Sequence, residues 1–518
     1  MATFLPLSLR DYGLSAESGF LPSEPPVGRL ADPYFEKWEE LATDVPSRVK
    51  DMALFREQIE GMCVLDSSRI GAGDECSLRR AYVVLSVLGH AYVWGGGDEG
   101  VRDVLPKSIA VPWCAVSDRL GVPPVVTHAS MDLWNWALID ADGPMDIENL
   151  KCHTHFTGSR SEEWFHLIPT VIEHAGAPLI HQTLDLAHTL NKAPETPTPT
   201  PPPPSPTATH HLPPSPALTD ELLQYLGCLA STLRSVTSLI GRMYEGCCRF
   251  EFYFKQRPFL AGFGSSEALP DGLVYEGVSN EARTYKGASA GQSSLIQMLD
   301  VMLGVNHDDP FLSEMRDYMP ARHARFLEDL QPVGEAMRAL IRASEPPAPL
   351  LPSPSPSPCP SPSPSPLVDA FNECIDLLAA FRSAHMGLVY TYIIQLKRHH
   401  AAPPTPTAAP TTTTSTPNTE EATPEWVVQG GHQERSESLT DVGTGGTDLL
   451  PFLKQCKQET VEARMEGADG PPLLTAEDRS TSKGSGMTLL IVEEQDDELD
   501  RGDGDGEGED TPTCGGSG

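Results

Sequence analysis

The chain has 518 residues, of which 50 are proline, and its formal net charge is −35. This excess of acid argues against a nucleic-acid-binding protein, because a phosphate backbone is met by Lys and Arg and no basic stripe is present. The 11 cysteines are odd in number and form no CxxC pair, so we expect a reducing compartment and neither a disulfide framework nor a structural zinc site.

The N-terminal sequence MATFLPLSLRDYG lacks the charged start and long apolar core of a signal peptide. No run of about 18 consecutive apolar residues follows anywhere in the chain. We therefore expect a cytoplasmic protein that does not bind a membrane.

Helical patterns at Asp32 to Leu41 and Ser77 to Trp94 open the chain. Between Trp94 and Pro124 the glycines of WGGG and the prolines of LPKSIAVPWC interrupt that pattern. The sequence therefore predicts a small, more irregular N-terminal lobe with minor strand content, residues 1–155, before a large helical domain, residues 156–466.

Low-complexity segments rich in proline interrupt the large domain at about 194–217, 345–366 and 400–440. Proline removes a hydrogen-bond donor and disfavours helix before it, so we interpret these segments as disordered insertions; ligands for proline-binding modules are the alternative. The C-terminal segment 467–518 is predicted to be a disordered acidic tail, with eleven acids and one base between Glu493 and Asp510.

A helix is predicted to open at Leu218 with a cap at Thr219 and acids in its first turn. Its apolar positions have helical spacing, and we expect that face to be buried. Because the same pattern returns after each insertion, the predicted fold class is all-α. The face consists of Leu222, Leu226, Leu229, Leu233, Val236 and Ile240.

The turn ASAGQSS, residues 288–294, lies between an extended-looking run, 271–277, and a helical run, 294–304. Small residues let a backbone approach a ligand, and free amides at a helix start favour a carboxylate or phosphate. The simpler interpretation is a serine N-cap on an ordinary helix. The local sequence leaves both open.

Arg257 follows an aromatic cluster that includes Phe252. Aromatic rings beside one arginine suit a planar aromatic ligand with a carboxylate, because guanidinium binds carboxylate with two hydrogen bonds. The alternative is the edge of a core helix with a surface arginine.

One continuous helix is predicted from Val368 to Leu396, and His385 lies on its apolar face. A core histidine bonded to a neighbour and an axial haem ligand both fit this position. We interpret the remaining histidine pairs as solvated surface: His153 with His155, His210 with His211, and His399 with His400.

Taken together, these segments resemble the indoleamine 2,3-dioxygenase family. The resemblance implies a monomeric, all-α haem enzyme that uses O₂ to open the indole ring of L-tryptophan, giving N-formylkynurenine in tryptophan catabolism. It also implies haem b held mainly by the large lobe and an external electron donor. The matching segments are 94–124, DGLVYEG (271–277), GASAGQSSLIQMLDVMLG (287–304), RDYMPARHARFL (316–327), FRSAHMGLVYTYI (381–393) and GTGGTDLLPFLK (443–454).

On the haem side, the resemblance implies that His385 is the proximal iron ligand. It also implies that Asp300 and Arg382 form an acid and base pair that supports that side. Ser289 and Ala290 match the turn beside haem and substrate.

On the substrate side, Phe165 and Phe252 match aromatic positions that pack on the indole, and Arg257 matches the arginine that pairs with the substrate carboxylate. Thr444 matches the loop that closes over the amino-acid end of the substrate. His128 and Met131 occupy pocket-lining positions with side chains different from the family's.

Two positions depart from the family pattern. Pro169 stands where some members have a serine hydroxyl, which puts a general base there in doubt, and Ala288 replaces a glycine. An alternative function is an O₂-storing or O₂-sensing haem protein, which would not need Arg257 as a carboxylate clamp. A third is an interaction protein recruited through its proline-rich tracts.

Overall fold

Helices dominate the structure, as the sequence predicted. The structure, a computed structural model, describes residues 8–97, 100–192, 213–264, 266, 268–345, 365–397, 443–444 and 449–465. The α-helices in this part of the chain are α1 Glu36–Thr43, α2 Val45–Arg48, α3 Met52–Glu60, α4 Glu75–Trp94, α5 Lys107–Leu120, α6 Arg160–Ala175, α7 Ala177–Lys192, α8 Pro216–Gly241, α9 Met243–Gly246, α10 Arg249–Glu251, α11 Ser294–Leu303, α12 Phe311–Glu314, α13 Ala321–Ala343, α14 Pro366–Val389 and α15 Leu449–Glu462.

Strands are short and few among the described residues. Strand β1 pairs in parallel with β4, and β4 pairs antiparallel with β5, while β2 and β3 form a separate antiparallel pair. The extended run predicted at 271–277 is thereby confirmed at its centre. The strands are β1 Val104–Leu105, β2 Trp136–Leu138, β3 Leu150–Cys152, β4 Leu273–Tyr275 and β5 Ala282–Arg283.

Helix α8 begins earlier than predicted. Its N-cap is Ser215, whose hydroxyl accepts from the amide of Leu218, and Pro216 follows at the first helical position. The predicted cap at Thr219 is wrong, because that hydroxyl lies inside the first turn and donates to the Ser215 carbonyl. Proline suits the first helical position because its φ is already helical and no amide is needed there. The predicted apolar face of α8 is buried throughout.

Helix α14 also begins on a proline, Pro366, at the end of a low-complexity segment. It packs against α8 and α15 and continues into a π-helical turn, Tyr390–Ile394. Segment 366–397 is long and apolar enough to cross a membrane by length and composition. Its buried face explains that composition, since a core helix passes the same test.

Residues 1–467 form one compact unit. The predicted boundary between residues 155 and 156 stays a prediction. The acidic tail and most of the three predicted insertions lie outside the described residues, namely 193–212, 346–364 and 398–442. The described flanks show that the first two segments end where α8 and α14 begin.

Candidate active site

A cavity of about 300 Å³ lies among α6, α11, α14 and α15 and the turns that join them. Its lining is mostly apolar. The structure brings together every site residue named from the sequence: His128, Met131, Phe165, Pro169, Phe252, Arg257, Ala288, Ser289, Ala290, Asp300, Arg382, His385 and Thr444 all line it.

Three π-helical turns surround the cavity: Ala129–Leu133, Phe252–Gln256 and Tyr390–Ile394. Each supplies lining side chains, among them Met131, Phe252 and Tyr392. A π turn accommodates one residue more than an α turn and is frequent at functional sites. Its presence in three separate segments marks the cavity as the functional region of the fold.

The ASAGQSS turn forms two serine caps and also lies on the cavity. Ser289 caps a short 3₁₀ turn and Ser293 caps α11, accepting from the amide of Ile296 at 3.2 Å. At the same time, residues 288–291 line the cavity. The serine N-cap is therefore confirmed, and a ligand site on the same turn remains a prediction.

Glycine is required where this turn crosses the segment after Arg257. A Cβ on Gly287 would lie 2.1 Å from the Leu260 carbonyl oxygen, and one on Gly262 would lie 2.2 Å from the Tyr285 carbonyl oxygen. The two backbones can therefore approach closely enough for the Ala288 amide to donate to Leu260 at 3.2 Å.

Arg257 is only 3% exposed, so the alternative of a surface arginine is wrong. Its guanidinium carbon lies 5.5 Å from the centre of the Tyr253 ring. The rings of Phe165 and Phe252 lie 4.6 Å apart, centre to centre, on the same cavity. A buried arginine beside an aromatic pair suits an aromatic amino acid with a free carboxylate.

Two hydrogen bonds fix Thr444 to the ASAGQSS turn. The Gly287 amide donates to the Thr444 carbonyl at 3.0 Å, and the Thr444 hydroxyl donates to the Ala288 carbonyl. The other residues of the GTGGTD motif, 445–448, lie outside the described residues. Its first two residues thus close one side of the cavity.

His90 joins two of the segments that line the cavity. Its ring is fully buried, donates from Nδ1 to the Phe259 carbonyl at 2.8 Å, and accepts through Nε2 from the Val126 amide at 2.9 Å. Burial lowers the pKa of His90 to about 3, so the ring is neutral. This bridge sets the spacing between the segment of His128 and that of Arg257.

His385 faces the cavity from α14 with no hydrogen-bond or ion-pair partner among the described residues. Burial, aided by the charge of Arg382, lowers its pKa to about 4. Its imidazole is therefore neutral and has a free lone pair, as an axial iron ligand requires. This fits haem and not the alternative of a core histidine bonded to a neighbour.

Asp300 and Arg382 form a buried ion pair beside His385. One guanidinium nitrogen, Nη2, lies 2.7 and 2.8 Å from the two carboxylate oxygens. Burial alone would raise the pKa of Asp300, but Arg382 and His307 lower it below its usual value. The predicted acid and base pair therefore exists, although its effect on haem stays a prediction.

Sequence reasoning missed His307, which extends this pair. Its Nε2 lies 3.3 Å from Asp300, and its Nδ1 lies 2.5 Å from Glu459. Burial lowers its pKa, but hydrogen bonds to Asp300 and Glu459 raise it to about 10. The ligand atoms of His307, Glu459 and Cys456 lie within 4.8 Å of one another. Both ring nitrogens of His307 already face a carboxylate, that of Asp300 or that of Glu459.

Sequence reasoning also missed three acidic or imidazole groups around His128. His128 lies 2.7 Å from Asp132 through Nδ1 and 3.0 Å from Glu173 through Nε2, and His166 lies 2.8 Å from Asp132. These four residues, called the polar wall below, all line the cavity. The recurrence of His166 and Glu173 two turns apart on α6, among apolar residues, is the sequence signal that could have revealed them.

The interpretation of His153 and His155 as solvated surface is wrong. Both are partly buried: His153 lies 3.0 Å from the Pro26 carbonyl, and His155 pairs with Glu163 at 3.8 Å. The cause is the N-terminal segment and α6, which pack on either side of them. His210, His211, His399 and His400 lie outside the described residues.

Comparison with known proteins agrees with this geometry. The family model for indoleamine 2,3-dioxygenase matches residues 8–463. The chain belongs to the indoleamine 2,3-dioxygenase family. It is 32% identical over 475 residues to indoleamine 2,3-dioxygenase of Saccharomyces cerevisiae, covering 88% of this chain and 93% of that relative.

Mammalian relatives agree to a similar extent. Indoleamine 2,3-dioxygenase 1 of Rattus norvegicus is 31% identical over 88% of this chain and 95% of its own length. Indoleamine 2,3-dioxygenase 2 of Homo sapiens is 31% identical over 89% of this chain and 96% of its own length. The chain is therefore an enzyme of the haem-dependent dioxygenase class, and the partnerless imidazole of His385 fits the iron of that cofactor.

Proposed function

We propose that the enzyme binds L-tryptophan, or a closely related indoleamine, together with haem b, and converts it with O₂ to N-formylkynurenine. One observation supports this most directly: the neutral imidazole of His385, which has no partner among the described residues, and the buried Arg257 face the same mostly apolar cavity. When bound, the haem supplies iron that activates O₂, and the protein supplies orientation and a dry site.

Arg257 binds the substrate carboxylate in this proposal, and Phe165 and Phe252 pack on the indole. The guanidinium is buried and can offer two parallel N–H donors. Ser289, Ala290 and Thr444 close the same side of the cavity and limit the freedom of the amino-acid end. Holding the reactants in one orientation lowers the entropic part of the barrier.

His385 holds the haem in this proposal, while Asp300 and Arg382 support α14 beneath it. The buried pair lies one helical turn from His385, so it fixes the side of the helix that faces the haem. A buried charge pair with satisfied geometry is costly to disturb. We infer that it keeps the imidazole in one position.

Pro169 offers no hydroxyl to the cavity, and its neighbour Thr170 does not replace one. The Thr170 hydroxyl donates to the Asp132 carbonyl at 2.7 Å, and Thr170 is not among the residues that line the cavity. We therefore propose that no side chain at position 169 acts as a general base. The proposed reaction needs none if oxygen attacks the indole directly.

We further propose that the enzyme works as a cytoplasmic monomer with an external electron donor that reduces ferric haem. All nine described cysteines are free thiols, which supports a reducing compartment. The buried Arg257 favours catalysis over the O₂-storage alternative, because an oxygen store does not need a carboxylate clamp.

The test combines turnover with haem binding. The full-length protein, loaded with haem and supplied with a reductant, is expected to form N-formylkynurenine from L-tryptophan. His385→Ala is expected to lose the Soret band, whereas His181→Ala, on the exposed face of α7, is expected to keep it.

Two results would contradict the proposal. A protein that binds O₂ reversibly but forms no product at any tryptophan concentration would favour the storage function. A His385→Ala variant with a normal Soret band would show that another residue ligates the iron.

A further inference from the structure

The polar wall places a cluster of titratable groups in a mostly apolar cavity, in addition to Arg257, Asp300 and Arg382. A continuous series of hydrogen bonds runs from Ser293 to Glu173, then through His128 and Asp132 to His166. Glu173 lies on α6, whereas His128 and Asp132 belong to the π turn Ala129–Leu133 and its N-cap. These groups meet only in the folded chain. Purely structural packing would place apolar groups here at lower cost.

The hydrogen bonds of the wall converge on Asp132 from two histidines. Burial alone would lower the pKa of His128, but Asp132 and Glu173 raise it to about 10, so this ring is an imidazolium that donates to both carboxylates. The Gln256 amide lies 3.0 Å from Nε2 of His166, and Nδ1 of the same ring lies 2.8 Å from Asp132.

Asp132 is the acceptor that a ligand can reach. Each of its oxygens accepts one hydrogen bond from a histidine, and a carboxylate has about four lone-pair sites. Its side chain is 10% exposed, towards the cavity. Glu173 is fully buried and is already bonded by His128, Ser293 and the Leu295 amide.

In the proposed binding mode, the ring end of the substrate faces the wall. The His166 ring lies 5.2 Å from that of Phe165, edge to face, and Phe165 is one of the two aromatic residues proposed to pack on the indole. The amino-acid end is assigned to Arg257 and Thr444. In this orientation, a substrate group that reaches the wall is a substituent on the benzo ring of the indole.

We propose that Asp132 accepts a hydrogen bond from a hydroxyl on the benzo ring, so that this enzyme prefers ring-hydroxylated tryptophans to ring analogues of the same size without a donor. The proposal rests on the function proposed above and specifies its substrate class. A hydroxyl that donates to a spare lone pair of the Asp132 carboxylate gains a charge-assisted hydrogen bond, which a methyl group of similar size cannot form. We expect a preference of about 10-fold or more in dissociation constant.

Equilibrium binding tests this without turnover. The haem-loaded ferric protein is titrated, with the Soret band as the readout, with L-tryptophan, its 5-hydroxy and 6-hydroxy derivatives, and the matching 5-methyl and 6-methyl derivatives. At least one hydroxy derivative is expected to bind about 10-fold more tightly than its methyl counterpart. Equal binding in both pairs would overturn the proposal.

Two variants locate the effect. Asp132→Val is expected to abolish the hydroxyl preference, and Asp132→Asn, which keeps the size, is expected to reduce it if the valine variant does not fold. Asp142→Val, the same change at an exposed aspartate that does not line the cavity, is expected to retain the preference. A preference that survives in both Asp132 variants would assign it to another residue and overturn the proposal.

The outcomes separate this inference from the proposed function. If L-tryptophan binds and is turned over but neither hydroxy derivative is preferred, only the inference fails. If L-tryptophan neither binds nor reacts, the proposed function fails and the inference fails with it. If there is no hydroxyl effect, but methylation of the indole nitrogen weakens binding to the wild type and not to Asp132→Val, Asp132 binds the indole N–H instead, which also overturns the proposal.

Discussion

Arg382 contacts both carboxylate oxygens of Asp300 through one nitrogen, and the pair lies one helical turn from His385. Both side chains are about nine-tenths buried. The pair therefore joins α11 to α14 in the region where haem is proposed to bind. Because the pair and His385 are different residues, a mutation can disturb the pair and leave the proposed haem ligand in place.

Asp300→Asn is expected to destabilise the protein by about 3–5 kcal/mol, because it leaves a buried guanidinium without its counter-charge. Haem affinity should fall with it, since Arg382 is free to reorient beside His385. Thermal unfolding and haem titration measure the two effects. Asp376→Asn on α14, the helix of Arg382, provides the control: the side chains of Asp376 and its partner Arg464 are 43% and 31% exposed, and loss of this pair should cost about 1 kcal/mol or less. Equal losses in the two variants would contradict the role given to Asp300.

Arg257→Ala is expected to keep haem and lose tryptophan affinity, by about 2–5 kcal/mol, because a buried, charge-assisted pair with the carboxylate is removed. Arg257→Lys keeps the charge but not the two parallel donors, so it should recover only part of the loss. The Soret band and a tryptophan titration report the two properties separately. Lys255→Ala, two residues earlier and exposed, should bind normally. Normal turnover by Arg257→Ala would show that the carboxylate binds elsewhere.

The buried imidazolium of His128 predicts a pH-dependent stability. Its pKa is raised from 6.5 to about 10 in the folded protein, so the folded state binds this proton more tightly than the unfolded chain. The resulting stabilisation is complete below pH of about 6.5 and is lost as pH rises to about 10, with an upper bound of about 5 kcal/mol.

The measurement compares the free energy of unfolding of the wild type and His128→Asn from pH 6 to pH 10. The difference between the two proteins should shrink as pH rises. His307 titrates in the same range, but it is present in both proteins and cancels in the difference. A difference that is constant with pH would show that His128 is not protonated.

Gly287→Ala is expected to lower both stability and substrate affinity, because the new Cβ would lie 2.1 Å from the Leu260 carbonyl and push the ASAGQSS turn away from Arg257. Gly227→Ala is the matched control: this exposed residue of α8 has nothing within 4 Å of the added carbon, and the change should stabilise the helix by about 0.5–1 kcal/mol. Thermal unfolding and tryptophan binding measure both. Similar behaviour of the two variants would mean that the crossing tolerates a side chain.

Much of this architecture could be predicted from local sequence. The helical fold follows from apolar periodicity. His385 and the ASAGQSS turn lie in the motif segments, and Arg257 was singled out by the aromatic residues before it, all without knowledge of the geometry. The cap of α8 was misplaced by four residues because Thr219 and Ser215 are both good capping residues. The proline at the first helical position distinguishes them.

The polar wall could not be predicted in the same way. Asp132 and His166 lie 34 residues apart, and each is unremarkable in its own segment. Their relation depends on a π turn and on the packing of α6, both of which are tertiary properties. His307 was missed for the same reason, since Glu459 lies 152 residues further along the chain.

The π turn Phe252–Gln256 lies between the aromatic residue and the arginine that are proposed to hold opposite ends of one substrate. Removing one residue from it would restore an ordinary α turn and rotate Arg257 by about 100° relative to Phe252. The distance between the carboxylate clamp and the aromatic platform is therefore set by chain length as well as by residue type. Inserting or deleting a single residue here would therefore change which substrate fits the cavity, while the residue types that line the cavity stay the same.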